Sequence, residues 1–168
     1  MWYVIQVRTG TEENICCQCR KIIDSSILER CFIPYYQEKK KYQGKWHTQE
    51  RILFPGYVFL VTNHVEELYE SLKDIIGSTR LIGTGEEIVP LSEEEVTLLL
   101  RLGKEEQLVE LSTGIIENSQ IRILEGPLVG MEGTIRKIDR HKRKAWLEIE
   151  MFGRTVEMQV GLEVIAKS

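Results

Sequence analysis

Two stretches constrain this chain more than any others: Phe54-Pro55-Gly56-Tyr57-Val58-Phe59-Leu60 and, about seventy residues later, Gly126-Pro127-Leu128-Val129-Gly130-Met131-Glu132-Gly133-Thr134. Each sets turn-forming residues inside a run that is otherwise strand-like. Glycine and proline are poor strand residues, so the backbone at each site must bulge or admit a close neighbour. Two such sites so far apart imply two β-containing domains.

The chain has 168 residues, of which 42% are hydrophobic, the range of folded globular proteins and outside that of disordered or fibrous ones. Its longest apolar run, Ile52 to Val61, is broken by Pro55 and Gly56 and falls well short of the roughly 18 residues of a membrane span. The first residues pass at once into Trp2-Tyr3-Val4-Ile5-Gln6-Val7, an aromatic and β-branched strand with none of the features of a signal peptide. A cytoplasmic protein is expected. Cysteines 16, 17, 19 and 31 match neither paired C-x-x-C motifs nor a Cys/His zinc pattern. Reduced, structural thiols are expected, with Cys16 and Cys19 packing as small hydrophobes.

The net charge of −4 hides an asymmetry: residues 1–117 carry 13 basic and 19 acidic side chains, whereas residues 118–168 carry 9 and 7. The second part is the better binder of polyanions.

Apolar residues at Ile15, Cys19, Ile22 and Ile23 predict one helix from Thr11, and Val65, Leu68, Tyr69, Leu72, Ile75 and Ile76 predict a second. Strands are expected at Arg30 to Pro34, Ile52 to Val61 and Thr79 to Ile82, with a polar arm from Tyr36 to Arg51 turning at Gln43-Gly44. The resulting β-α-β-β-α-β order is the split βαβ arrangement, an antiparallel sheet under two helices. Ser92-Glu93-Glu94-Glu95 has the form of a capping box opening a third helix to about Leu102. Gly103 to Asn118 is acidic and aperiodic, so a linker is expected. Beyond it only short strands remain, at 120–124, 133–138, 145–151, 155–160 and 162–165, which together suit a small all-β barrel.

Catalytic chemistry has little to stand on. His47, His64 and His141 lie in a polar arm, at a strand end and in a basic turn, away from other metal-ligating types. Gly83-Thr84-Gly85 is followed by no phosphate-binding helix, and the serines lack a nucleophile elbow. Neither an enzyme nor a cofactor is expected. Charge is more informative: between Arg136 and Lys144, six of nine positions (Arg136, Lys137, Arg140, Lys142, Arg143, Lys144) are basic, and His141 lies among them. If Leu147, Ile149 and Met151 point inward, alternation turns Trp146 outward beside that charge, a platform on which bases stack while cations meet phosphates. The alternative is a solvated hairpin with Trp146 shielding the barrel edge. In the polar arm, Lys39, Lys40, Lys41, Lys45 and Arg51 interleave with Tyr42 and Trp46. These could contact DNA, or keep an exposed edge soluble.

On these residues the chain resembles the NusG family of transcription elongation factors over nearly its whole length. Trp2 to Val7 is similar to the family's opening strand, Ile33-Pro34 to its second, and Glu50-Arg51 with Phe54-Pro55-Gly56-Tyr57-Val58 to its signature strand. Ile121-Arg122-Ile123, Gly126-Pro127, Gly133 and Phe152-Gly153-Arg154-Thr155 resemble its KOW barrel. The resemblance implies an α+β chain: an NGN domain at 1–105, a linker at 106–117 and a KOW domain at 118–168. It implies that the NGN domain docks on the clamp helices of the largest RNA polymerase subunit, with Tyr3, Phe54, Pro55, Gly56 and Tyr57 as the polymerase-facing patch. A monomer without cofactor or metal is expected.

Departures from the common family pattern fall in the barrel. Arg140-His141-Lys142-Arg143-Lys144 replaces a mildly charged turn, Trp146 stands at a usually polar position, and Asn118 replaces a glycine whose left-handed backbone Asn tolerates. These features resemble the LoaP subfamily of specialised paralogs, processive antiterminators recruited by an RNA element in the leader transcript. That resemblance implies RNA binding by Arg136, Lys137, Arg140, His141, Lys142, Arg143, Lys144, Trp146 and Arg154. It also puts the usual KOW partners, Rho and a ribosomal protein, in question.

Overall fold

The computed structural model describes residues 1–75 and 90–168, and the backbone of Arg80–Leu81. In chain order the elements begin with β1 (Trp2–Gln6), α1 (Glu12–Ile22), β2 (Arg30–Phe32), β3 (Tyr35–Tyr42), β4 (Lys45–Ile52), β5 (Tyr57–Val61) and α2 (Val65–Leu72). There follow β6 (Arg80–Leu81), α3 (Glu93–Gly103), β7 (Leu108–Val109), β8 (Ser112–Glu117), β9 (Gln120–Glu125), β10 (Ile135–Asp139), β11 (Lys144–Met151) and β12 (Arg154–Lys167). Contacts divide the chain into two compact units: Met1–Ile33 with Phe54–Val96, and Pro34–Leu53 with Thr97–Ser168. The expected positions Ile76, Thr79, Ile82 and Gly83-Thr84-Gly85 lie outside the described residues.

In the first unit the sheet order is β2-β5-β1-β6, antiparallel at every pair. Ile5, Phe59 and Leu60 are fully buried in it. Aromatic rings continue the core: Phe32 stacks on Phe59 at 5.4 Å, with Trp2 edge-on to Phe32 at 5.1 Å and Phe54 at 5.9 Å from Phe59. Helix α1 buries Ile15, Cys16 and Cys19. Ile22, expected on that face, is 51% exposed. The buried stripe is centred between Glu12 and Cys19, and at 3.6 residues per turn Ile22 lies about 70° away from that centre. The thiols of Cys16 and Cys31 meet at 3.3 Å, all four cysteines are free, and Cys17 is exposed.

The run expected as one strand from Ile52 is split, because Pro55 and Gly56 turn the chain before β5. Gly56 has φ +88, a backbone that other residues adopt only under strain, and a Cβ there would be in ordinary contact with the Val7 carbonyl at 3.4 Å. What fixes this turn is Glu12. Its carboxylate is 2% exposed and accepts the Gly10 N–H at 2.7 Å and the Gly56 N–H at 2.9 Å. At the end of this unit the capping box forms as expected: Glu95 N–H donates to Ser92 Oγ at 3.1 Å and Ser92 N–H to Glu95 Oε1 at 2.9 Å.

The second unit holds a five-stranded sheet ordered β10-β11-β12-β8-β9 and a three-stranded one ordered β4-β3-β7. Three of its hairpins close with two residues at positive φ, the twist-matched turn: Gln43-Gly44, Asn118-Ser119 and Phe152-Gly153. Asn118, at φ 51, does take the left-handed backbone. Strand β12 is continuous where two strands were expected. It pairs antiparallel with β11 through Gly161, then parallel with β8 from Leu162. This is why residues 112–117, expected within the linker, form a strand: β12 outruns β11 and its further half needs a partner.

Three glycines in this unit mark close backbone approaches: Gly114, where a Cβ would lie 2.8 Å from the Arg122 carbonyl oxygen, Gly126 and Gly161. At Gly126 (φ +103) a Cβ would lie 2.6 Å from Ser112 Cα, and the buried Ser112 hydroxyl there accepts the Leu128 N–H at 3.1 Å. At Gly161 a Cβ would collide with the Gln37 carbonyl of β3. Gly161 therefore makes room for the hairpin and does not end a strand.

Replacing Glu12 by alanine leaves the Gly56 N–H without its acceptor and is expected to cost about 2 kcal/mol, with Glu12→Gln recovering part of it. Urea unfolding of the three proteins checks this. Gly161→Ala is expected to cost about 1–3 kcal/mol by forcing β12 off β3, read in the same way.

Candidate nucleic-acid interface

The basic turn expected from the sequence joins β10 to β11, and its charges divide into two sets. At its base, on the outer face, sits a bulge: Ile135 pairs with Leu147 but Lys137 with Trp146, which leaves Arg136 as the extra residue. Arg136 donates to Glu148 at 3.0 Å and to the Gly133 carbonyl at 2.6 Å. Lys137 lies across from Trp146 with its ammonium 4.7 Å above the ring. Leu147, Ile149 and Met151 are buried and Trp146 is half-buried, one ring face covered by Lys137.

At the tip, Asp139 accepts the Lys142 N–H at 2.9 Å, and this bond holds its carboxyl below the usual carboxylate range. The side chains of Arg140, His141 and Lys142 are exposed and take part in none of the ion pairs described here.

Arg143 and Lys144 are spent inside the fold. Lys144 Nζ lies 2.8 Å from Glu38 Oε2, while the Arg143 guanidinium sits 3.8 Å over the Trp46 ring and 3.2 Å from Glu163. In the β3–β4 ladder Glu38 pairs with Gln49, and Lys39 and Lys41 pair with Thr48 and Trp46. Alternation puts Glu38 on one face of the hairpin and Lys39, Lys41 and Trp46 on the other. The two adjacent cations thus clasp the hairpin from both faces.

Glu38 is the centre of this clasp. Only 1% exposed, it also accepts Gln49 Nε2 at 2.6 Å and Arg51 Nε at 2.8 Å. Burial pushes its carboxyl up, but the Lys144 ammonium and the hydrogen bonds from Gln49 and Arg51 more than reverse this and hold it below the ordinary glutamate range. Glu163 plays the same part on the other face, pairing Lys39 at 3.3 Å as well as Arg143. Neither acid was expected from the sequence. The available signal was Glu38 alternating with Tyr36 as the one acid in a lysine-rich strand.

Of the hairpin cations, Lys39 and Arg51 are therefore held in ion pairs, and Lys40, Lys41 and Lys45 are exposed. Arg154 is exposed but pairs with Met151 at the opposite end of β11, about 23 Å of strand from Lys144. In the first unit Tyr3, Phe54, Gly56 and Tyr57 are buried and Pro55 is exposed. Among the described residues no group of three or more His, Cys, Asp or Glu is arranged to hold a metal ion, and no helix is long and apolar enough to cross a membrane.

Because the folded Glu38 carboxyl is depressed, its contribution is present above the unfolded value of about 4.3 and lost as pH falls through the folded one. Glu38→Gln is expected to cost about 2 kcal/mol near neutral pH, with the stabilities of the two proteins converging as pH falls through the depressed value of the folded carboxyl. Denaturant unfolding across pH 3–7 reads both effects, with the convergence set by the carboxyl's titration.

Sequence comparison bears on the same features. A family model described as transcription termination factor NusG matches residues 1–100. The transcription termination/antitermination protein NusG of Halalkalibacterium halodurans is 29% identical over 175 residues, covering 99% of this chain and 97% of its own. Its namesake in Staphylococcus aureus is 28% identical, with 99% and 94% covered. A solved structure concerned with domain interaction in Thermotoga maritima NusG superposes with a TM-score of 0.61 at 23% identity, covering 97% of this chain and 93% of that one, so the fold is shared. The family match takes in the opening strand, the Glu12-anchored Pro55-Gly56 turn and more than half of the chain, and with it this protein belongs to the NusG family.

Proposed function

We propose that this protein is a specialised NusG paralog of the LoaP type: a non-enzymatic, cytoplasmic antitermination factor that holds RNA polymerase through one domain and a structured RNA through the other. Its NGN portion, 1–105, docks on the clamp helices of the largest polymerase subunit, with Pro55 the solvent-facing member of the patch that includes Tyr3, Phe54, Gly56 and Tyr57. The KOW portion, 118–168, binds a hairpin in the nascent transcript. Tethering gives this arrangement its value, because RNA captured by one domain raises the local concentration of the other at the polymerase.

The observation that carries the RNA reading is the exposed tip Arg140-His141-Lys142, on the turn whose strands carry the Lys137–Trp146 pair two ladder positions below its last pair. Three adjacent cationic or titratable side chains with an aromatic ring on the same hairpin suit phosphates flanking an unstacked base. A second reading, a general NusG factor whose barrel meets proteins, is favoured by the engagement of Arg143 and Lys144 within the fold. Contact of Lys40, Lys41 and Lys45 with upstream DNA is compatible with either.

The full chain is expected to bind a leader-transcript hairpin at least tenfold more tightly than an unrelated hairpin of equal length, at moderate salt. Arg140→Ala with Lys142→Ala should remove most of that preference in a titration followed by fluorescence anisotropy. Weak binding that is equal for both RNAs and vanishes with salt would leave the general factor.

A further inference from the structure

We infer that the tip of the β3–β4 hairpin is a second wall of the same RNA surface, with Lys41 and Trp46 binding the stem–loop that Arg140 and Lys142 bind. The inference rests on the RNA-binding reading above and adds residues that the sequence places a hundred positions away. Arg143 is the joint between the two walls. Its guanidinium lies 3.8 Å over Trp46, so the turn that displays Arg140 and Lys142 stands within side-chain reach of the hairpin face that carries Lys41.

Ion pairing separates Lys41 from Lys39, Arg51, Arg143 and Lys144, and alternation puts Lys40 on the opposite face of the hairpin. Glu163 pairs with Lys39 and Arg143, and Glu38 with Arg51 and Lys144. Those cations hold the hairpin in place. Lys41 is exposed and directly opposite Trp46, which at 36% is exposed for so large an apolar ring. A base stacking beside the Arg143-capped indole would bring its phosphate to Lys41.

The walls are also fixed before any RNA arrives. The Glu38 clasp and the backbone approach at Gly161 set their separation, so binding does not have to order a loose arm. An unpaired loop flanked by stem phosphates matches such a surface better than duplex DNA, whose bases are not available to stack.

The test uses the full chain and one synthetic RNA stem–loop, the leader hairpin, titrated over a salt series. Lys41→Ala is expected to weaken binding severalfold and to lower the slope of log affinity against log salt by about one, with Lys41→Arg restoring both. Circular dichroism of Lys41→Ala should be unchanged, since the residue is exposed. Unchanged affinity and slope in Lys41→Ala, alongside loss in Arg140→Ala/Lys142→Ala, would overturn the second wall and leave the RNA reading standing. No loss in the Arg140/Lys142 variant would overturn the RNA reading itself. Equal binding of a duplex DNA of the same length, with the same dependence on Lys41, would overturn the assignment to RNA.

Discussion

A single buried carboxylate organises the second unit. Glu38 brings Arg51, Gln49 and Lys144 to one point, and through Lys144 it decides where the basic turn begins. A charge this deep is tolerable only when its partners are in place, so the hairpin and strand β11 must arrive together. That requirement has a functional side. Two of the most basic-looking residues in the chain, Arg143 and Lys144, are fastened to the hairpin, and within the turn the exposed charge outside these ion pairs and ring contacts falls on the residues just before them.

Counting charges along the sequence overstates how many are offered to a partner. The Arg136 to Lys144 run reads as one patch, yet it contains a surface ion pair, a lysine laid on an indole, an exposed tip and two internal anchors. Affinity for a polyanion follows the exposed tip, whereas the anchors set its geometry. This distinction also bears on Arg154, which belongs to the same barrel but not to the same surface.

Local features were readable from the sequence. The capping box at Ser92 and Glu95, the Gln43-Gly44 turn and the left-handed Asn118 each depend on a few adjacent residues. The special backbone at Gly56 and Gly126 was also readable, though what each approaches, Val7 and Ser112, was not. Features that depend on distant partners were hidden. Nothing local in Ser112 to Glu117 shows that β12 will need it, and Ile22 looks apolar enough for a core that lies to one side of it. Glu38 was hidden for the same reason, since two of its partners come from β4 and the third from β11.

The double pairing of β12 carries a consequence for how the chain is made. Strand β8 forms its parallel partnership only with residues 162–167, some fifty positions later, and no tight turn can join parallel neighbours. On a ribosome, β8 and β9 can close as a hairpin early, but one edge of β8 stays open until the far half of β12 has emerged. The unit that gathers the basic surface is thus completed only when the far half of β12 has emerged, after both the β3–β4 hairpin and the β10–β11 turn have been made.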